Sequence, residues 1–266
     1  MEEFRAWATL GIALLALILP GAVWAWSNYV RKGIIDIHET WTIEVGFSSY
    51  GPTIGLNGTL QAVHHDLFIR SIELTVVKLR DSSQYTFEWL VFRPASVAFG
   101  AVQQETSIEV PAGFLLTTAQ PRRYNITFFD RARQAEMGQH LQNLSVAWQE
   151  HLTTNVFSDP QLLQQQNVDW ATLVQGEFAA FSKDNPVNLA TYTAVDRLFY
   201  WDSGDYYLEM RVNTTRPART FPRSWAFSLS EAQTTSIRQN VYKTLVATCG
   251  QAAGAFNFAY AGYQEA

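Results

Sequence analysis

The chain has five histidines, and only the tripeptide His64-His65-Asp66 resembles the spacing of metal ligands. A His-x-Asp pair supplies two members of a two-histidine, one-carboxylate iron site, so His64 and Asp66 are the candidate ligands of a metal-dependent enzyme. A third ligand would have to come from a distant part of the chain, and a polar turn between Val63 and Phe68 explains the same residues. We therefore predict no metal and no cofactor, and keep metal-dependent catalysis as an alternative.

Other catalytic patterns are missing from the sequence. His38-Glu39 lacks the second histidine of the zinc-protease motif H-E-x-x-H, and no G-x-S-x-G, P-loop or G-x-G-x-x-G sequence occurs. Cys249 lies on the apolar face of a predicted helix, where a cysteine usually acts as a small buried hydrophobe. We predict that the protein is not an enzyme.

The chain contains nine tryptophans, which could bind a carbohydrate or another protein because an exposed aromatic ring offers a large contact area. Most of them fall on the inward faces of predicted strands and helices and are expected in the core. Trp201 breaks the alternation of its segment. It is the candidate for an exposed binding residue, and a carbohydrate or small-ligand binding module is a second alternative function.

Composition and charge exclude several classes of protein. Charged residues make up 16% of the chain and aromatic residues 14%, which indicates a folded body rather than a disordered chain or a coiled coil. The formal net charge is −5 and no run of lysine and arginine occurs, so nucleic acid is not a predicted partner. Cys249 is the single cysteine, which excludes an intrachain disulfide.

Residues 6–26 are uncharged and predominantly apolar, and as a helix they would span roughly 30 Å of hydrocarbon. We predict that residues 1–32 are a membrane anchor with a single transmembrane helix that contacts the lipid bilayer. A cleaved signal peptide is the alternative, but the leading MEEFR has two acids and one base, which favours a retained signal-anchor. The body, residues 33–250, is expected on the extracytoplasmic (periplasmic) side of the membrane.

Residues 41–129 alternate between apolar and polar side chains in the period of a β-strand. The segment from Phe68 to Arg93, with turn residues at 81–83, predicts a hairpin. Residues 56–63, 113–118 and 124–129 are predicted to form further strands. Short strands without intervening helices indicate antiparallel sheets packed as a sandwich.

The apolar period then becomes helical between about residues 130 and 185. Apolar residues at 137, 141, 144, 148 and 152 predict one helix, and those at 170, 174, 178 and 181 predict a second. Asp159-Pro160 is a candidate helix start, and Asn185-Pro186 is predicted to end the helical insertion. Ser230 and Gln233 form a predicted capping box for a last helix, which Gly250 ends.

Strands return after Pro186, and residues 202–208 read DSGDYYL. This segment resembles the D-x-G-x-Y-x-C signature that precedes the sixth strand of immunoglobulin-like domains, with Leu208 in place of the cysteine. The resemblance implies an immunoglobulin-like antiparallel β-sandwich, here with a helical insertion and a C-terminal helix. It also implies that Tyr206 is a structural residue, the tyrosine corner, whose hydroxyl bonds to backbone. A likeness of this kind implies no activity.

The last segment, residues 251–266, has Phe256, Phe258 and Tyr260 at alternate positions among small residues. These three are candidate partner-binding residues, because a strand with free backbone groups suits the sheet edge of another chain. Disorder and packing on the protein's own body are the alternatives. If the segment docks on a partner, its deletion should leave the thermal stability nearly unchanged.

These expectations favour a noncatalytic, membrane-anchored accessory or structural subunit. We expect it to bind a membrane protein through its sandwich domain, its helical insertion or its tail.

Overall fold

The computed structural model describes residues 16, 18–23, 26, 33–92, 112–158, 169–215 and 217–265. Within these residues the chain forms nine strands: β1 (Ile34–Ser48), β2 (Gly51–Val63), β3 (Leu67–Lys78), β4 (Ser83–Phe92), β5 (Phe114–Leu116), β6 (Arg122–Phe129), β7 (Gly204–Thr215), β8 (Ala218–Leu229) and β9 (Phe258–Glu265). It also forms four helices of more than ten residues: α1 (Arg131–Asn155), α2 (Trp170–Asp184), α3 (Pro186–Leu198) and α4 (Glu231–Thr248).

Eight of the strands close into an antiparallel barrel. Around the barrel the order is β1-β2-β6-β4-β3-β7-β8-β9, and β9 pairs again with β1. The short strand β5 pairs with the first residues of β3 outside this ring. The predicted immunoglobulin-like β-sandwich is therefore wrong, because a sandwich has two sheets with free edges and this sheet has closed on itself.

Two pairings close the sheet. Strand β4 pairs with both β3 and β6, and β9 pairs with both β1 and β8. The alternation of side chains that predicted the strands is the same in a barrel and in a sandwich, since in both every second residue points into the core. The alternation therefore carries no information about which strands pair. The DSGDYYL segment resembles immunoglobulin-like domains only locally, at the start of β7.

The barrel interior is packed with apolar side chains. Neighbouring strands place buried residues opposite one another, as in the row Val45, Ile54 and Phe128 across β1, β2 and β6. On the other side, Leu74 of β3 lies between Phe87 and Met210. The interior positions in this part of the barrel are thus occupied by the protein's own side chains, and they hold the fold together through the hydrophobic effect.

The helices cover one end of the barrel. α3 contacts the other three helices, and α4 also lies against β1 and β9. The side-chain amide of Asn240 in α4 donates to the backbone carbonyl of Phe47, 3.0 Å away, near the end of β1. The turn after β3 and the start of β7 lie at this same end. The β2–β3 turn, β5 and the β7–β8 turn lie at the opposite end.

Helix boundaries follow local capping. Asn185 ends α2, and its side-chain oxygen accepts bonds from the backbone N–H groups of Val187 and Asn188, with Pro186 as the first residue of α3. The prediction that Asn185-Pro186 ends the helical region is wrong, because proline at the first position of a helix loses no hydrogen bond. The capping box of Ser230 and Gln233 is present at the start of α4. The predicted helix start at residues 159–160 lies outside the described residues.

The transmembrane signal-anchor predicted at residues 6–26 is not supported. No helix within the described part of the chain is long and apolar enough to cross a membrane. Of the predicted span, the structure describes only residues 16, 18–23 and 26.

Candidate functional site

Trp201, the predicted exposed binding residue, is buried at the helix-covered end of the barrel. Its exposed fraction is 1%, and its indole N–H donates to the backbone carbonyl of Gly46 at 2.9 Å. The ring is stacked against Phe87, with 6.0 Å between centroids. Its broken alternation reflects a residue between α3 and β7 that folds inward, so almost none of the side chain reaches the surface.

Tyr206 lies where a tyrosine corner is expected. The side chain is fully buried, and its ring is stacked on Phe227 with 5.1 Å between centroids. The hydroxyl donates to the backbone carbonyl of Asp202 at 2.8 Å and accepts from the N–H of Asp202 at 2.9 Å. Burial raises the pKa of Tyr206, so the hydroxyl keeps the proton that it donates. This residue locks the turn before β7.

The tail residues belong to the barrel. Phe258 begins β9 and Tyr260 lies within it, whereas Phe256 precedes the strand. β9 pairs with β1 and β8 of the same chain, so its backbone groups are not free for a partner's sheet along those pairings. The inward positions are Ala259, Ala261 and Tyr263, which are buried. Phe258 and Tyr260 lie on the outer face of β9, where Phe258 is half-buried and Tyr260 is 62% exposed.

His64 and Asp66 form the turn between β2 and β3. His64 has a φ of +77°, and the carboxylate of Asp66 accepts bonds from the backbone N–H and the hydroxyl of Thr118, at 2.7 and 3.2 Å. No cluster of three metal-ligating side chains occurs in the ranges that the structure describes. The turn chemistry accounts for Asp66 without a metal.

The helical layer has a groove between α2 and α4, with a volume of about 820 Å³. Two aromatic residues, Trp170 and Tyr242, flank it and are 38% and 52% exposed. Its walls are mainly apolar: Trp170, Ala171, Val174, Phe178, Ala179, Val246, Ala252 and Ala253. Of the lining residues that the structure describes, Lys243 alone is charged.

A polar network holds one wall of this groove in place. The ammonium group of Lys243 donates to the side-chain oxygen of Asn257 at 3.0 Å and to the backbone carbonyl of Ala255. The N–H of Asn257 donates to the side-chain oxygen of Asn240 at 2.8 Å, and Asn240 is fully buried. These bonds fasten the segment after Gly250 to α4. The groove is therefore a built feature of the packed helices and not a gap beside a loose tail.

Two further depressions continue from the groove along α4. The first, about 530 Å³, shares Tyr242 and Lys243 with the groove and lies between α3 and α4 beside Tyr192. The second, about 250 Å³, shares Thr235 and Arg238 with the first. We call these three connected depressions the α4 track. It changes along its length from apolar at the groove to cationic at Arg238.

Ion pairs fix the side chains at the cationic end of the α4 track. The guanidinium of Arg238 binds the carboxylate of Asp196 through two bonds, of 2.9 and 2.7 Å, and this hydrogen bonding raises the pKa of Arg238. The ammonium of Lys78 binds Asp202 in the same region. Both arrangements anchor long side chains that would otherwise move freely.

The sequence patterns missed the residues of this surface. Trp170 falls on the same stripe as Val174, Phe178 and Phe181, which predicted that it is buried, but it is at the first position of α2 and is partly exposed. Tyr242 lies one position beyond the apolar stripe of α4. An aromatic residue just beside the apolar stripe of a helix is the sequence signal that could have indicated this exposed surface.

Comparisons of the chain with protein-family models, with curated proteins and with solved structures found no match.

Proposed function

We propose that this protein is a noncatalytic binding module that docks a segment of another protein on its helical layer, in the groove between α2 and α4. The groove carries this proposal, because a concave site of about 820 Å³ with mainly apolar walls and two exposed aromatic residues at its rim is the usual form of a binding site. Partly exposed tryptophan and tyrosine are also the residues that contribute most to binding energy at protein interfaces.

The chemistry of the lining indicates the kind of partner. Among the described residues that line it, the groove offers apolar contacts, a single positive charge at Lys243 and no acidic side chain. A partner segment with apolar anchors and neutral or acidic neighbours complements such a lining, whereas a basic segment would meet like charge. An amphipathic helix fits this description, since it presents its apolar residues on one face.

The alternative functions find less support. The Oδ1 of Asp66 accepts both bonds from Thr118 and fixes the β2–β3 turn, which gives the candidate carboxylate of a metal-dependent enzyme a structural role. Trp201 is buried, which removes the aromatic platform of a carbohydrate-binding module. An accessory role beside a membrane protein stays a prediction from the sequence.

Photo-crosslinking in the native host tests the proposal. A benzoylphenylalanine placed at Tyr242 should form an adduct of defined mass with a partner protein. The same group at Leu115, which is exposed at the opposite end of the barrel, should not form that adduct.

A matched pair of variants on α2 provides the control. Ala171 and Ala180 are both exposed, but only Ala171 lines the groove. Ala171→Arg should fill the groove and abolish the adduct at Tyr242, while Ala180→Arg should preserve it. An adduct that survives Ala171→Arg, or no adduct at Tyr242, would contradict docking in the groove.

A further inference from the structure

The far end of the α4 track is a small polar cavity of about 250 Å³. The β3–β4 turn contributes Arg80, the segment before β7 contributes Asp202 and Ser203 beside the rings of Phe199 and Trp201, and α4 contributes Thr234, Thr235 and Arg238. Three separate parts of the chain thus bring two guanidinium groups and three hydroxyl groups to one place. At about 30 Å³ per water molecule the cavity would hold roughly eight waters, which is enough for a tetrahedral oxyanion.

The donors of this cavity are only partly used. The guanidinium of Arg238 has five N–H donors. Two of them bond to Asp196, so three remain. Arg80 is exposed and makes no hydrogen bond or ion pair with any described residue. The free Arg80 and the spare N–H groups of Arg238 are the donor set that binds carboxylate and phosphate groups in proteins.

The acidic side chain in the cavity is already paired. Asp202 accepts from the ammonium of Lys78, which offsets its charge. Of the residues that line the cavity, two are cationic and one is anionic. Arg238 is likewise paired with Asp196, so Arg80 is the charged residue of the lining that has no partner among the described residues.

We propose that this cavity binds an oxyanion, and that the oxyanion is an acidic group of the protein segment docked along the α4 track. The identity of the oxyanion as part of a docked segment rests on the proposed function, whereas oxyanion binding by the cavity does not. From Arg238 to Val246 the helix rises about 12 Å at 1.5 Å per residue. The acidic group therefore lies about eight residues from the apolar anchors in a helical partner, or about four residues away in an extended one.

The chemistry has two sources, a carboxylate side chain or a phosphorylated one, and the experiment separates them. Purified protein is titrated with inorganic phosphate and, separately, with acetate, at constant ionic strength, by isothermal titration calorimetry or by NMR of the arginine side chains. We expect saturable binding of at least one. Saturation by phosphate but not by acetate indicates a phosphorylated group, and the reverse indicates a carboxylate.

Arg80→Gln is the decisive variant, because an exposed turn residue can change without disturbing the fold. Loss of a charge-assisted hydrogen bond should weaken binding about tenfold or more. Arg70→Gln removes the same charge from an exposed position of β3 nearer the opposite end and should leave the affinity unchanged. Equal affinity in the two variants, or no saturable binding by either anion, would overturn the inference.

The two proposals fail separately. If neither anion binds but the Tyr242 adduct still forms, the oxyanion site is wrong and docking in the groove stands. If an anion binds through Arg80 but no Tyr242 adduct forms, the cavity is an oxyanion site and the docked segment is not its source.

Discussion

Replacing Tyr206 by phenylalanine removes one oxygen atom at the helix-covered end of the barrel and two hydrogen bonds with it. The hydroxyl bonds to both the N–H and the carbonyl of Asp202, and the side chain is fully buried. A neutral hydrogen bond contributes about 1 kcal/mol net, so Tyr206→Phe should lower the free energy of unfolding by about 2 kcal/mol. For a domain of this size that corresponds to a fall in Tm of about 4–8 °C.

The neighbouring residue provides the control. Tyr207 points to the outer face of β7, where its hydroxyl donates to Ser224 at 2.6 Å and is only half-buried. Tyr207→Phe should cost less than about 1 kcal/mol, because water can replace the lost partner. Tyr206→Ala, which also empties the ring's volume, should cost about 3–5 kcal/mol.

Urea unfolding followed by circular dichroism measures all three variants, with the same m-value required for a valid comparison. If Tyr206→Phe is as stable as the native protein, or no less stable than Tyr207→Phe, the hydroxyl does not lock the turn. The assignment of Tyr206 as a corner residue would then be wrong.

Three further predictions concern the barrel. Deleting residues 251–266 removes β9 and should abolish the cooperative thermal transition in circular dichroism; an unchanged melting curve would contradict closure of the barrel. Burial raises the pKa of Cys249 to about 12, so a thiol reagent at pH 8 should label the thiol no faster than the protein unfolds. Because the native state holds this proton more tightly than the unfolded state, the free energy of unfolding should decline as the pH rises from about 9 towards 12. A Cβ at Gly58 would lie 2.3 Å from the carbonyl oxygen of His38, so Gly58→Ala should destabilise by about 3 kcal/mol in urea unfolding, and a neutral result would refute the close approach of these strands.

Local features of the fold were predictable from the sequence. The β3–β4 hairpin forms within the range predicted from Phe68 to Arg93, and the helix with apolar residues from Met137 to Leu152 is α1. The capping box at Ser230 is also present. Each of these depends on residues close together in the chain, where period and capping chemistry act directly.

Closure of the sheet was not predictable in the same way. The tail at 251–266 gave no local sign of its neighbours, and its aromatic residues suggested an interface although its alanines face the core. The strand that it joins, β1, begins more than two hundred residues earlier. Which strands pair depends on contacts between distant segments, and side-chain alternation does not predict those contacts.

The candidate site was hidden for a related reason. Its groove exists only where α2 and α4 meet, and these helices are separated in sequence by α3 and two strands. The cationic cavity likewise joins Arg80 to Arg238. No sequence motif indicates either the groove or the cavity, because their residues come together only when distant segments pack against each other.

The position of β9 as the last strand of the barrel has a consequence for synthesis on the ribosome. Until residues 258–265 have emerged, β1 and β8 each present an unpaired edge, and the ring is open between them. Open edges favour pairing with other chains, so the nascent protein passes through a stage in which it is prone to exchange strands or aggregate. Closure of the barrel therefore waits for β9, and a chain stopped before residue 258 would be a target for chaperones and proteases rather than a smaller working protein.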